Sequence, residues 1–174
     1  MNSFLEFEKP LADIEGKLKE LKHLAEDGDV DVSSEIAKLE TRSDLLLRET
    51  YEDLGAWQKT QVARHADRPH YLDYVEGLIE DFTTLAGDRG FGEDKAILGG
   101  LGRFRGRSVM VIGQEKGSNT TDRIKHNFGM AQPEGYRKAV RLMKLAEKNN
   151  IPVITFVDTA GAHPGIEAEE RGQA

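Results

Sequence analysis

The chain has 174 residues, of which 38% are hydrophobic and 32% charged, and its formal net charge is −7 at pH 7. This length is enough for one domain with an appendage and a real hydrophobic core. Because the chain has no cysteine, disulfides, thiolate metal sites and a catalytic thiol are excluded, and the negative charge argues against a general nucleic-acid binder.

No apolar run approaches the roughly 20 residues that span a bilayer, and residues 1–8 lack the basic and apolar regions of a signal peptide. We therefore expect a cytoplasmic protein with no membrane contact and no specific nucleic-acid partner. Charge is uneven, since residues 103–148 hold 11 Lys and Arg against 4 Asp and Glu. This basic segment could hold a nucleotide-like phosphate, but a solvated face or a subunit contact is favoured on charge alone.

The N-terminal part of the chain predicts a helical hairpin. Apolar residues recur at three- and four-residue steps over residues 11–21, after a proline suited to a first helical turn. Residues 27–29, Asp-Gly-Asp, interrupt the pattern, and residues 36–46 continue it with heptad-like spacing. Two helices joined by a short turn favour a structural or assembly role over a chemical one.

A further helix is expected over Leu72–Leu85, after a loop that contains Pro69. Together these elements define an N-terminal helical region of residues 1–85, with a hairpin and one more helix. Residues 86–174 form the second part of the chain.

The hydrophobic period changes after Lys95. Residues 96–104 and 108–112 predict two strands, and Arg105-Gly106 between them fits a tight hairpin turn. Residues 134–149 predict an amphipathic helix.

The continuous apolar run Ile151–Val157 predicts a strand that is buried on both faces. A loop over Asp158–Gly165 and a final helix from Ile166 to Ala174 follow. The order strand, strand, helix, strand, loop, helix predicts an α/β layer fold.

The loop Asp158–Gly165 is the most informative candidate for chemistry, because P-loop, dinucleotide and His-Glu-x-x-His signatures are missing. A strand followed by a glycine-rich loop and a helix can aim backbone N–H groups at an anion or a polarised carbonyl. Gly161 and Gly165 permit backbone conformations that are closed to other residues. An ordinary strand-to-helix connection is an equal alternative. Asp158 could be a general base, although capping the turn is its simpler role.

The segment Phe128–Tyr136 precedes the basic helix and holds two glycines, a proline and two aromatic residues. It could close over an acyl-CoA or biotin-like group, but packing against a neighbouring element is slightly favoured. The five histidines show no ligand-like spacing, and His126 and His163 are interpreted as surface or loop residues.

Short exact strings, collinear from about residue 5 to the end, carry a family resemblance. These strings are Leu54–Gln58, Ala63–His65, Leu72–Val75, Ala86–Arg89, Asp94–Ile97, Asn127–Met130, Pro133–Ala139, Phe156–Thr159 and Glu169–Gln173. The chain resembles the α subunit of the bacterial acetyl-CoA carboxylase carboxyltransferase. Many strings in the right order are more specific than any single motif.

The resemblance implies an incomplete crotonase-like (ClpP/crotonase) fold of strand-strand-helix units, preceded by the N-terminal helical hairpin. Residues 86–174 would be the first part of the carboxyltransferase domain. It also implies an α2β2 assembly with a β subunit, working with a separate biotin carboxylase and a biotin carboxyl carrier protein. The family moves a carboxyl group from carboxybiotin to acetyl-CoA, which gives malonyl-CoA for fatty acid synthesis. No metal is expected in this chain, and the ATP of the whole carboxylase reaction has no site here.

The resemblance directs attention to backbone donors rather than to titrating side chains, because charge develops on biotin's ureido oxygen and on the thioester enolate. The candidate catalytic groups are the backbone N–H groups of Gly161, Ala162 and Gly165, which would line the active site. The candidate substrate-binding side chains are Lys116, Arg137, Lys138 and Arg141.

Two departures from the family pattern are visible. The family loop usually reads Asp-Thr-Pro-Gly-Ala-Tyr-Pro-Gly, whereas Ala160 and His163 replace the proline and the tyrosine, and the loop loses a φ restraint. The chain also ends at Ala174, before the second glycine-rich loop that supplies an oxyanion hole in the family. We therefore expect this chain alone to be inactive and poorly stable.

Two other functions compete with the carboxyltransferase subunit. A non-catalytic, truncated module could dock on the β subunit, and activity in the presence of that partner would distinguish it. A different crotonase-fold enzyme, such as a CoA hydratase, is disfavoured because the matching strings extend through the N-terminal helices.

Overall fold

The computed structural model describes residues 4–26 and 32–173. The chain forms two compact units, Met1–Arg68 and Pro69–Ala174. Their division precedes the boundary expected between residues 85 and 86. The predicted interruption at residues 27–29 lies outside the described residues.

The first unit is helical. A 3₁₀ turn at Glu6–Glu8 is followed by the helices α1 (Lys9–Glu26), α2 (Ser33–Glu52) and α3 (Ala56–Ala63). The helices α1 and α2 pack against each other, with Leu11 and Leu18 of α1 buried. The predicted pair of N-terminal helices is therefore confirmed.

The second unit is a mixed sheet with helices. Its elements are α4 (Tyr71–Leu78), β1 (Glu80–Thr84), β2 (Ile97–Phe104), β3 (Arg107–Gln114), α5 (Thr120–Lys125), α6 (Pro133–Lys148), β4 (Val153–Phe156) and α7 (Ile166–Glu170). The strand order is β1-β2-β3-β4; β2 is antiparallel to β1 and to β3, and β4 is parallel to β3. The α/β class with a helical N-terminal region is confirmed.

The hairpin between β2 and β3 is the predicted tight turn. Phe104 pairs with Arg107, and the two turn residues, Arg105 and Gly106, have φ values of 49° and 75°. Two positive φ values in a two-residue loop are typical of a type I′ turn, whose twist matches that of the flanking strands.

The expectation of a helix over Leu72–Leu85 is wrong for the second half of that range. It ends at Leu78, and β1 then pairs with β2. This segment contains Phe82 and two threonines, which favour a pleated strand. It also lies close to Gly100, where a Cβ atom would approach Thr83 O to 2.2 Å. Tertiary pairing therefore overrides the helical pattern, and glycine permits the close approach.

Strand β3 is buried on both faces, because successive side chains point to opposite sides of a sheet. Met110 and Ile112 join one apolar cluster with Leu142 of α6. Val109 and Val111 join another cluster with Tyr71 and Val75 of α4. The sheet therefore lies between α4 and α6.

Strand β4 differs from the expectation of burial on both faces. It occupies an edge of the four-stranded sheet, where Val153 is 38% exposed, and Val157, just after the strand, is 81% exposed. Phe156 packs on the α4 side, with its ring 5.3 Å from that of Tyr74. The apolar run is thus half-covered by this chain.

Candidate functional site

The glycine-rich loop leaves the sheet beside the loop that follows β3. Strands β3 and β4 are parallel, and Gly113 of β3 pairs with Phe156 of β4. The segments that follow them, residues 115–119 and 157–165, therefore begin at the same edge of the sheet. In open α/β sheets, ligands bind at the carboxyl ends of the strands. The fold therefore places the candidate loop where a binding site is expected.

An ion pair fastens the loop to the segment after β3. Lys116 Nζ lies 2.8 Å from Asp158 Oδ1, and Gln114 Oε1 accepts from the Asp158 N–H at 3.0 Å. The capping role expected for Asp158 is taken by Thr159, whose hydroxyl accepts from the Gly161 N–H at 3.1 Å. The Asp158 carboxylate therefore has Lys116 as its ion-pair partner.

The two glycines of the loop have different surroundings. Gly161 has a φ of +155° and open space around its missing Cβ, so its conformation excludes other residues. Gly165 has a φ of −132°, which other residues also adopt, so the conformational freedom of glycine is not used there. A Cβ at Gly165 would instead lie 2.8 Å from His163 Nε2.

The exposed part of the loop offers the Ala162 N–H as a backbone donor, whereas the Gly161 and Gly165 N–H groups already donate to Thr159 Oγ1 and His163 O. Gly161 and Ala162 are exposed, and in the part of the chain that the structure describes the Ala162 N–H donates to no protein acceptor. Helix α7 is only five residues long, which leaves little room for a helix-dipole contribution. Free N–H groups at a fixed position can stabilise a developing oxyanion.

A left-handed turn borders the loop and was not predicted from the sequence. Asn127, Phe128 and Gly129 have φ values of 46°, 55° and 73°. The Thr159 hydroxyl donates to Gly129 O at 2.7 Å. Three consecutive positive φ values are costly and persist only where neighbours hold them. The asparagine and the glycine of this segment were the available signal.

The segment Phe128–Tyr136 shows the packing that the sequence slightly favours. Gly129, Ala131 and Pro133 are buried, whereas the side chains of Phe128 and Tyr136 are 49% and 40% exposed. Its backbone packs on neighbouring elements, and its aromatic rings remain available for contact.

The four basic candidates divide into two groups. Lys116 lies at the loop. The other three, on α6, bond to the segment 85–94: Arg137 Nε lies 2.7 Å from Asp88 Oδ2, Lys138 Nζ donates to Asp94 O at 2.7 Å, and Arg141 Nε donates to Gly87 O at 3.0 Å. These contacts favour a scaffolding role for the three α6 residues.

Two buried carboxylates, Asp88 and Asp94, accept backbone hydrogen bonds within and next to the segment 85–94. Asp88 accepts from the N–H groups of Gly90, Phe91 and Gly92 at 2.8–3.0 Å. Asp94 accepts from the N–H groups of Ala96 and Gln132, both at 2.9 Å. Burial raises the pKa of Asp94. The backbone donors and the nearby Lys138 only partly oppose that shift.

The pKa of Asp88 is held well below its usual range. Burial alone would raise it, but the Gly90 N–H, the Arg137 guanidinium and two further backbone donors outweigh burial. A carboxylate with a lowered folded-state pKa stabilises the fold above its unfolded pKa of about 3.9, and this contribution is lost as the pH falls.

We expect Asp88→Asn to lower the free energy of unfolding by about 2–3 kcal/mol at pH 7, because it removes the buried charge that accepts from three backbone N–H groups and from the half-exposed Arg137. The difference from the parent should shrink as the pH falls from 5 to 3. Urea unfolding at pH 7, 5 and 3 measures it. Asp44→Asn, on the exposed face of α2, is the control and should change stability by less than about 0.5 kcal/mol. A pH-independent deficit in Asp88→Asn would contradict the assigned role of the carboxylate.

The two histidines near the site differ from each other. His126 lies in the turn that follows α5, as expected for a loop residue, but it is only 4% exposed and its Nδ1 donates to Lys95 O at 2.6 Å. His163 is half-buried within the glycine-rich loop, as expected. Among residues 4–26 and 32–173, no group of three or more His, Asp or Glu side chains could hold a metal ion. None of the helices in these ranges is long and apolar enough to cross a membrane.

Comparison with known proteins gives a consistent family match. The model of the family described as acetyl co-enzyme A carboxylase carboxyltransferase-like matches residues 4–174. A relative from Paramagnetospirillum magneticum is 65% identical over 170 residues, which cover 98% of this chain and 54% of the relative. One from Parvibaculum lavamentivorans is 66% identical over 175 residues, covering 100% of this chain and 55% of the relative. Both are named acetyl-coenzyme A carboxylase carboxyl transferase subunit alpha.

The chain therefore spans about half the length of the curated relatives it matches. Among solved structures, a single-chain, multi-domain long-chain acyl-CoA carboxylase is similar over 65% of this chain and 11% of its own, with 23% identity and a TM-score of 0.49. A similarity this low adds nothing to the family match.

Proposed function

This chain belongs to the acetyl co-enzyme A carboxylase carboxyltransferase-like family, and from that premise we propose that it forms part of an α subunit that carboxylates acetyl-CoA. The product would be malonyl-CoA for fatty acid synthesis. The observation that carries the proposal is identity of about 65% along 98% of the chain with a relative named as such a subunit.

The chemistry of the loop fits this role. The reaction develops negative charge on oxygen atoms of the thioester and of biotin, and backbone N–H groups stabilise such charge without changing protonation state. The exposed Ala162 N–H, fixed beside Gly161, is a donor of that kind. Carboxybiotin, when bound, supplies the carboxyl group. The residues proposed to line the site of its reaction partner, acetyl-CoA, are Gly161, Ala162 and Gly165.

Among the basic candidates, we assign the anion contact to Lys116. It is the candidate that lies at the loop, and its side chain keeps 22% exposure beside Asp158. Arg137, Lys138 and Arg141 act on the substrate only indirectly, since they hold the segment 85–94 against α6.

The partners follow from the proposed reaction. They are a β subunit in an α2β2 carboxyltransferase, a biotin carboxyl carrier protein and a biotin carboxylase, all in the cytoplasm. Biotin would arrive on the carrier protein, and the proposed reaction uses no metal ion from this chain. A purely non-catalytic docking module has no observation in its favour.

The test is reverse carboxyl transfer, from malonyl-CoA to a biotin derivative, with the β subunit present. We would compare the 174-residue chain with a version extended to the length of its relatives. We expect activity only in the extended version, where Gly161→Ala should lower kcat/KM at least about tenfold because its φ excludes a side chain.

Gly77→Ala is the matched control. Its added Cβ meets nothing within 4 Å, and the residue lies in α4 rather than at the loop. An inactive extended protein would contradict the proposed function. Full activity of Gly161→Ala would contradict the role given to the loop and leave the reaction class standing.

A further inference from the structure

The side-chain amide of Asn127 links the left-handed turn to the glycine-rich loop. Its Nδ2 donates to Met130 O at 2.7 Å and lies 3.0 Å from His163 Nδ1. A carbonyl oxygen only accepts hydrogen bonds, so the contact with Met130 O identifies the nitrogen of this amide. The second hydrogen of the same nitrogen is then directed at the imidazole.

The direction of this bond fixes the state of the imidazole. Because Asn127 Nδ2 can only donate, His163 Nδ1 must accept and cannot carry a proton. The ring is therefore neutral, with its hydrogen on Nε2. A protonated imidazole has donors on both nitrogens and would place two donors face to face.

We propose that Asn127 and neutral His163 form a latch that positions the glycine-rich loop, and that protonation of His163 opens it. His163 is here a positioning residue, since it acts through the backbone of its own loop. This inference rests on the proposed function, because it treats residues 158–165 as part of the active site.

The latch belongs to a set of contacts between the loop and the turn. The His163 N–H donates to Ala131 O at 3.0 Å, and the Thr159 hydroxyl lies 2.7 Å from Gly129 O. Gly165 leaves room for the ring, since a Cβ there would lie 2.8 Å from Nε2. Ala162, which carries the free backbone donor, lies between the two anchoring residues Thr159 and His163.

Charged and titratable groups on the adjoining segments have partners of their own. Examples are Lys116 with Asp158 at 2.8 Å, Glu134 with Arg171 at 3.2 Å, His126 with Lys95 O at 2.6 Å, and Asp94 with the Gln132 N–H at 2.9 Å. The contact that the structure gives to His163 Nδ1 comes from the Asn127 amide. A change in the charge of His163 acts first on this bond.

The experiment measures hydrogen exchange of the backbone amide at position 163, corrected for intrinsic exchange, at pH 7.5 and pH 5.5. In the parent protein we expect about tenfold less protection at pH 5.5, the loss that corresponds to one hydrogen bond. His163→Gln keeps an acceptor that does not titrate and should be equally protected at both pH values. His163→Leu should be poorly protected at both.

Protection of the β3 amides in the same samples separates opening of the loop from unfolding of the sheet. Equal protection of the parent at both pH values would overturn the proposal, as would protection of His163→Leu equal to that of His163→Gln. A parallel loss in β3 would overturn it as well. So would ring nitrogen resonances at pH 7.5 that show a proton on Nδ1. None of these measurements depends on enzyme activity. A result that overturns the latch is therefore distinct from a result that overturns the proposed carboxyl transfer.

Discussion

Gly100→Ala is expected to lower the free energy of unfolding by about 3 kcal/mol or more, because overpacking against backbone cannot be relieved by a rotamer change. The added Cβ would lie 2.2 Å from Thr83 O and 2.9 Å from Phe82 Cζ. Gly100 pairs with Thr84, so relief requires β1 to move away from β2. Chemical denaturation, followed by circular dichroism, measures the change.

The matched control is Gly77→Ala, in the helix that packs on the same unit. Its Cβ would meet nothing within 4 Å, and replacing a helical glycine with alanine stabilises by roughly 0.5–1 kcal/mol. The two substitutions add the same methyl group with opposite expected signs. If Gly100→Ala is as stable as the parent, the close pairing of β1 with β2 is wrong.

Lys138→Ala is expected to lower the free energy of unfolding by about 3 kcal/mol, because it removes a fully buried side chain and the charge-assisted hydrogen bonds that its ammonium group makes. Lys138 is 1% exposed, and its Nζ lies 2.5 Å from Glu93 Oε1 and 2.7 Å from Asp94 O. Its loss would also raise the pKa of Asp94 further, since Lys138 is one of the groups that oppose the effect of burial.

Lys144→Ala on the exposed face of α6 is the control and should change stability by less than about 0.5 kcal/mol. Urea unfolding of both variants at pH 7 gives the comparison. Equal stability of Lys138→Ala and the control would show that the ammonium group is not buried in solution. The assignment of Lys138 to scaffolding rather than to substrate would then fail with it.

The hydrophobic period and the turn residues predicted most of the second unit. The strands β2 and β3, the turn at Arg105-Gly106, the helix α6 and the loop after β4 all follow from patterns within 10–20 neighbouring residues. The local signal failed at β1, where the strand exists because β2 offers a partner and Gly100 offers space.

The candidate site was predicted only in part. The loop Asp158–Gly165 was recognised, because a strand, glycines and a helix follow each other along the chain. The turn at Asn127–Gly129 was missed, since its three positive φ values are held by contacts from residues about 30 positions away. Burial of His126 was missed for the same reason, because its partner, Lys95 O, is distant in sequence.

By itself, the sequence determined the α/β class, the helical N-terminal region, the resemblance to its family and the location of the glycine-rich loop. These depend on periodicity and on the order of short strings, which are properties of the linear chain. Only the tertiary structure decided which basic residues serve the scaffold. Three basic residues that look alike in sequence have different partners. Arg137 pairs with the buried Asp88 and Lys138 donates to Asp94 O, both in a distant segment, whereas Lys116 pairs with Asp158 of the loop. The role of a charged side chain is set by its partner and its burial, and both come from contacts between residues far apart in the chain.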